Sequence, residues 1–257
     1  FCNREQFRDF MRVLRRSEKF EHKIIGEGHN GKCYKITMND KDYTCKKIKI
    51  TKNNRFNREI KILKNLNTTE YLPEYFNSFS NLNYHYILYN FIEGEDLYQS
   101  IENGFFEKKN KTKCLSLVKS VTDGLFELFN NNLVHLDIKL ENIILTSKNP
   151  IKIKIIDLES CRKINKNNKK TVCGTQGYTS PEMLLQKTYY YNTDIWSLGV
   201  ILFMLFTHHN FIEKNSFMFK HNCLQFFENY NASFIKDRLI LVDCFDKDIY
   251  ELLKLML

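Results

Sequence analysis

The chain has 257 residues, enough for one large domain or two small lobes sharing a cleft, and its 43% hydrophobic and 27% charged content is that of an ordinary soluble protein. A net charge of +9 permits a polyanion-binding surface. Asn, Lys, Ile, Tyr and Phe are enriched together, however, so the excess lysine reads as a solvated surface and no nucleic acid partner is expected. The most apolar run, Ile195 to Phe206, is shorter than the ~20 residues of a membrane-spanning helix and contains Ser197 and Gly199. It reads as a buried core helix, and no transmembrane segment is expected.

At the amino end, Arg4, Glu5, Arg8 and Asp9 interrupt any apolar run a signal peptide would need. The cysteines, Cys2, Cys33, Cys45, Cys114, Cys161, Cys173, Cys223 and Cys244, form no C-x-x-C pair, which supports neither a zinc site nor a disulfide framework. Both points place the chain inside the cell, in the reducing cytoplasm. Residues 1–19 form an expected helical extension, with Phe7, Phe10, Met11 and Leu14 on one face. A basic stripe of Arg4, Arg8, Arg12 and Arg15 or Arg16 lies on the other, read as the solvated side of a docked helix rather than a membrane-binding one.

From Phe20 the pattern turns to short strands: Phe20–Ile25, Lys32–Thr37, Tyr43–Ile50 and Tyr84–Tyr89. One helix interrupts them over Asn57 to Leu66, with Ile60, Leu63 and Leu66 at helical spacing. From Asp96 onward the chain is mainly helical, ending in a helix over Asp246 to Leu257. The expectation is an α+β protein with a small strand-rich lobe at about 20–89, a connecting segment at about 90–95 and a larger helical lobe at about 96–257.

The first chemical motif is Ile25-Gly26-Glu27-Gly28-His29-Asn30-Gly31-Lys32-Cys33. Glycines there let main-chain N–H groups approach phosphate oxygens. Dinucleotide-binding folds use the same glycine spacing to open a helix, whereas here Lys32 to Ile36 continues as a strand, which excludes a dehydrogenase. Fifteen residues after Gly31, Lys46 shares a strand face with Thr44 and can pair with phosphates, and Glu59 is placed to orient it.

The most specific segment is His135-Leu136-Asp137-Ile138-Lys139-Leu140-Glu141-Asn142, which resembles the H-R-D-x-K-x-x-N catalytic loop of the protein kinase superfamily. Asp157-Leu158-Glu159 resembles its D-F-G motif. Gly174 to Glu182 resembles G-T-x-x-Y-x-A-P-E, and Asp194 to Gly199 resembles D-x-W-S-x-G. The motifs fall in the family's order over 20–257, and Lys139 with Gly174-Thr175 resembles the serine/threonine class.

This resemblance implies a catalytic domain that moves the γ-phosphate of ATP to Ser or Thr hydroxyls of protein substrates, with Mg2+ or Mn2+. Asp137 would take or orient the hydroxyl proton, Lys139 would offset charge on the phosphoryl group, and Asn142 and Asp157 would hold the metal. Ile25, Gly26, Gly28, His29, Asn30, Gly31, Cys33, Thr44, Lys46, Tyr89 (the gatekeeper position), Asn90, Ile92, Asp96, Glu141 and Ile144 would bind the nucleotide. The linker Asn90-Phe91-Ile92 would supply backbone hydrogen bonds. Asp96 and Glu141 also match positions that hold a basic residue upstream of the acceptor. The net charge argues instead for acidic substrates by steering, and the local carboxylates are preferred because contact geometry discriminates more.

Five features depart from the family. Leu136 stands where an arginine usually receives an activation-loop phosphate, so activity is expected not to depend strongly on phosphorylation at Thr171 or its neighbours. Leu158 and Gln176 replace the usual phenylalanine and proline. Glu159 replaces a glycine, with an expected loss of backbone freedom. Nothing after Leu257 supplies the family's arginine partner for Glu182, so a shortened helical lobe is expected. A module that holds nucleotide without transferring phosphate is the alternative function.

Overall fold

The computed structural model describes residues 12, 24–28, 31–38, 40–50, 55–66, 70–164, 173–185, 189–211 and 232–257. The expected amino-terminal helix apart from Arg12, the strand start at Phe20, and His29, Asn30 and Thr171 lie outside the described residues. The chain divides into two compact units, Phe1–Glu93 and Gly94–Leu257.

The first unit is an antiparallel sheet of β1 (Ile24–Gly28), β2 (Gly31–Met38), β3 (Lys41–Lys49), β4 (Tyr75–Ser80) and β5 (Tyr84–Asn90), in the order β1-β2-β3-β5-β4. Register places Cys33 opposite Lys46 and Lys46 opposite Ile87, while Thr44 faces Lys35 and Tyr89. Because side chains alternate along a strand, these six residues share one face. Tyr34, Ile36, Tyr43, Cys45, Phe79, Tyr86 and Leu88 form an apolar cluster through the intervening positions. Strand β4 escaped the sequence reading because Tyr-Phe-Asn-Ser-Phe-Ser neither alternates cleanly nor runs apolar, and its register shifts between Tyr75 and Asn77.

Helix α1 spans Arg55–Asn65 and buries Phe56, Glu59, Ile62 and Leu63. The expected face of Ile60, Leu63 and Leu66 is therefore rotated. The helix turns inward around Glu59, a charged residue that periodicity of apolar positions cannot register. Phe56 stacks on His85 of β5 at 3.8 Å between ring centroids and fixes the amino-terminal part of the helix.

The second unit is mainly helical, and with the sheet of the first it makes the protein α+β, as expected. Its larger helices are α3 (Lys111–Asn130), α5 (Tyr191–Thr207), α6 (Ala232–Leu241) and α7 (Lys247–Met256), preceded by the short α2 (Leu97–Glu102) and α4 (Pro181–Leu184). Asn110 caps α3 by accepting the Lys113 N–H, and Asp246 caps α7 by accepting those of Asp248 and Ile249. The run Ile195–Phe206 lies within α5, buried on nearly every side, as a helix at the centre of a core must be. Small strands complete the unit: β6 (Glu95–Asp96) pairs with β8 (Ile143–Lys148), β8 with β9 (Ile151–Ile155), and β7 (Leu133–Val134) with β10 (Arg162–Lys163).

Candidate active site

In the first unit the candidate residues gather on one sheet face and one helix. Lys46 Nζ donates to both oxygens of Glu59 at 3.1 Å, and the Tyr89 hydroxyl donates to Glu59 Oε1 at 2.8 Å. Glu59 is only 1% exposed. A buried carboxylate is tolerable only with such charge-assisted partners. Thr44 and Cys33 share the Lys46 face, half-buried, while Ile25 is exposed on β1.

The glycines differ in why they are glycine. At Gly31 an added Cβ would fall 2.1 Å from the Lys47 carbonyl oxygen, so strand packing alone requires it. At Gly26 the nearest neighbour would be Cys33 Cβ at 3.9 Å, so the protein itself has room for a side chain. Space of that kind beside a strand turn suits a ligand that approaches the main chain. In the expected linker, the Asn90 N–H donates to Glu74 O at 3.0 Å and the Phe91 N–H to Asp42 O at 3.2 Å. Among the described residues this leaves the amide of Ile92 as the donor of that segment.

In the second unit the loop after β7 is held from beneath. Asp194, at the start of α5 and 4% exposed, accepts the N–H groups of His135 at 2.7 Å and Leu136 at 2.8 Å. Burial pushes the Asp194 carboxyl above its ordinary range, against the downward pull of His135 and the two amides. Leu136 sits at φ 68°, a left-handed conformation that costs energy for a leucine, and the two bonds to Asp194 offset that cost. His135 Nδ1 accepts the Asp137 N–H at 3.2 Å, which turns its Nε2–H toward the Ile156 carbonyl at 3.0 Å.

The Asp137 carboxylate is thereby aimed. Thr175 Oγ1 donates to Oδ1 at 2.7 Å, and the Asn142 amide donates to Oδ2 at 3.3 Å and to the Asp137 carbonyl at 2.8 Å. Gly174 lets Thr175 come this close: its φ is +100°, and a Cβ would lie 2.9 Å from the Leu136 carbonyl oxygen. Lys139, half-exposed on extended backbone, follows two residues after Asp137.

The expected metal pair is also brought together. Ile143 faces Ile155 across β8 and β9, and the Ile156 N–H donates to the Asn142 carbonyl at 2.9 Å, so Asn142 and Asp157 leave the same end of one hairpin. The Asn142 amide nitrogen is turned to Asp137, so its side-chain oxygen is what it can offer beside the Asp157 carboxylate. Such hard oxygen donors fit Mg2+ or Mn2+. Asp157 itself is left-handed, at φ 64° and ψ 69°. Glu159 lies in the following short turn, Leu158–Ser160, with no positive φ. The positive φ of this segment thus lies at Asp157, two residues before the position where the family has its glycine. Arg162 Nη1 closes the turn by donating to the carbonyls of Glu159, Ser160 and Cys161.

Asp96 caps α2 through the Gln99 N–H at 2.8 Å. Its carboxyl is pushed up mainly by burial, with repulsion from Glu141 adding to it. Ile144 is half-buried on β8, opposite Asp96 in register. Glu182 accepts a hydrogen bond from Thr193 Oγ1 at 2.9 Å. Sequence reasoning missed the roles of Asp194, Thr175 and Thr193. For Asp194 one signal was available: an acid at the head of an otherwise apolar helix must bury its charge on something.

The sequence profile of the protein kinase domain family matches residues 20–257. The chain belongs to the protein kinase family. It is 32% identical over 199 residues to the serine/threonine-protein kinase Nek5 of Mus musculus, covering 76% of this chain and 32% of that protein. It is 28% identical over 189 residues to an Aurora kinase of Yarrowia lipolytica, covering 70% and 50%. With the serine/threonine-protein kinase cds1 of Schizosaccharomyces pombe it shares 33% over 199 residues, covering 72% and 41%. The chain thus spans about a third to a half of these relatives. Among the described residues no helix is long and apolar enough to cross a membrane.

Proposed function

We propose that the chain is a catalytically active serine/threonine protein kinase domain, over about 20–257, that transfers the γ-phosphate of ATP to protein hydroxyls. The observation that carries this reading is the Asp137 carboxylate, held by Thr175 on one oxygen and Asn142 on the other. Those bonds leave it lone pairs for a substrate hydroxyl and fix their direction. Asp137 accepts the hydroxyl proton as the oxygen bonds to phosphorus, and the bond from phosphorus to the bridging oxygen of ADP breaks. Lys139 offsets charge on the moving phosphoryl group. Lys46, oriented by Glu59, holds the α- and β-phosphates. Asn142 and Asp157 would hold Mg2+ or Mn2+, which supplies charge neutralisation on the phosphates.

The nucleotide positions are those of the first unit at Ile25, Gly26, Gly28, Gly31, Cys33, Thr44, Tyr89, Asn90 and Ile92, with Ile144 and Glu141 from the second. His29 and Asn30 belong to the same proposed set. The adjacent acids Asp96 and Glu141 support a preference for basic residues upstream of the acceptor. The six described cysteines, all outside disulfides, suit the reducing cytoplasm.

A second reading, nucleotide holding without transfer, is favoured by one feature: Glu159 is a carboxylate only 6% exposed, two residues from Asp157. Phosphate transfer from Mg-ATP to a mixed Ser, Thr and Tyr peptide library separates the two. Transfer to Ser or Thr, lowered about 100- to 10,000-fold in Asp137→Ala, supports the enzyme. ADP binding with no transfer from well-folded protein would establish the second reading.

A further inference from the structure

Two of the hydrogen bonds donated to Glu59 come from Lys46, at 3.1 Å, and a shorter one, at 2.8 Å, comes from the phenol of Tyr89. All three residues are buried, to 9% exposure or less. They belong to three different elements: Lys46 to β3, Tyr89 to β5 and Glu59 to α1. Lys46 and Tyr89 lie on one face of neighbouring strands, since Thr44 is opposite Tyr89 and Lys46 is opposite Ile87. The sheet therefore presents two donors side by side, and α1 delivers the carboxylate that joins them.

The two donors are not equivalent. Lys46 is the group expected to turn toward phosphates, and doing so weakens its hold on Glu59. The phenol has no such second task, and a hydroxyl at this position keeps the buried carboxylate bonded while the lysine is engaged. The opposite face of α1 gives little anchorage, since Asn57, Lys61, Lys64 and Asn65 are exposed. A further deep contact on its amino-terminal half is Phe56 against His85. Leu136, in the second unit, is buried among Val134, Met183 and Tyr189, where an arginine would be needed to read a phosphate.

We propose that Tyr89 is a positioning residue: its hydroxyl tethers Glu59, and with it α1, to the sheet, so that the Lys46–Glu59 pair stands assembled before nucleotide arrives and without a phosphorylated loop. The inference rests on reading Lys46–Glu59 as the nucleotide-orienting pair. It goes further in assigning the upkeep of that pair to a side chain otherwise counted only as a pocket wall. The substitution Tyr89→Phe removes the hydroxyl and keeps the ring. Without the tether α1 spends part of its time undocked, and apparent nucleotide affinity falls by the docked fraction.

The decisive experiment compares the whole chain, Tyr89→Phe and Tyr86→Phe. The control phenol, Tyr86, bonds Asn81 at 3.1 Å on the other sheet face. Amide hydrogen exchange over residues 55–65 is measured without nucleotide, together with KM for ATP and kcat. For Tyr89→Phe, exchange in α1 should quicken about tenfold with β3 and β5 unchanged, and KM should rise about three- to tenfold with kcat within about twofold. Tyr86→Phe should move neither. Exchange and KM both within twofold of the parent overturn the tether. So does a uniform rise in exchange over the whole sheet, which marks a merely structural phenol. If no protein transfers phosphate, the kinase reading fails on that result alone, and exchange with ADP affinity still decides the tether.

Discussion

Glu59 and Asp194 are both carboxylates with almost no exposure, one in each unit, and they are satisfied in opposite ways. Glu59 is bonded by side chains, an ammonium and a phenol from two strands, each of which can rotate away. Asp194 is bonded by two main-chain N–H groups of consecutive residues, which cannot leave without unfolding the loop. The first arrangement builds an adjustable joint and the second a fixed mount. That division suits the proposed kinase activity, in which Lys46 and Glu59 must admit a ligand while Asp137 must stay aimed.

The comparison breaks most severely at the mount. Asp194→Ala leaves two buried amides without acceptors, and at about 1–3 kcal/mol each the expected loss is roughly 4 kcal/mol, read from chemical denaturation. Phosphate transfer should fall about 100-fold or more in whatever protein still folds, because Leu136 relaxes and Asp137 loses its aim. A smaller effect is expected at the joint. Lys46→Met removes the cation that Glu59 is bonded to, at a cost of roughly 3 kcal/mol. Adding Glu59→Gln should recover most of that stability while leaving transfer abolished. A double variant no more stable than Lys46→Met would show that charge compensation is not what Lys46 supplies.

The smallest effect comes from pH. Burial holds the His85 imidazole below its ordinary value of 6.5, so the folded state favours the neutral ring stacked on Phe56. A depressed folded-state pKa contributes stability that is present above 6.5 and is lost as pH falls through the folded value. The protection of α1, taken relative to the intrinsic exchange rate at each pH, should therefore fall modestly between pH 7 and pH 5, and His85→Phe should flatten that slope. An unchanged slope in the variant would assign the acid sensitivity elsewhere.

The legible part of this protein was the part in which chemistry and chain order coincide. Asp137, Lys139 and Asn142 are close in sequence, so the resemblance of one short motif picks them out together. Glycine, lysine and glutamate of the first unit were legible as a set because a strand alternates and a helix follows. The rest depended on contacts between distant segments. Nothing near Thr175 announces that it bonds Asp137, and nothing near Thr193 announces that it bonds Glu182. The rotated face of α1 was hidden for a physical reason: apolar periodicity locates a buried stripe only where burial is apolar, and this stripe is centred on a charge. Strand β4 was hidden because its neighbours, rather than its own residues, make it a strand.

The left-handed backbone of Asp157 bears on how this site should be dissected. Aspartate and asparagine visit that conformation routinely, whereas an ordinary L-residue such as alanine incurs roughly 1–2 kcal/mol there. An alanine scan would therefore confound two losses at this position, an oxygen donor and a tolerated backbone angle. Asparagine keeps the angle and isolates the charge, and glycine keeps the angle and deletes the side chain. The pair of variants separates ligand chemistry from conformational preference, a distinction that alanine alone erases.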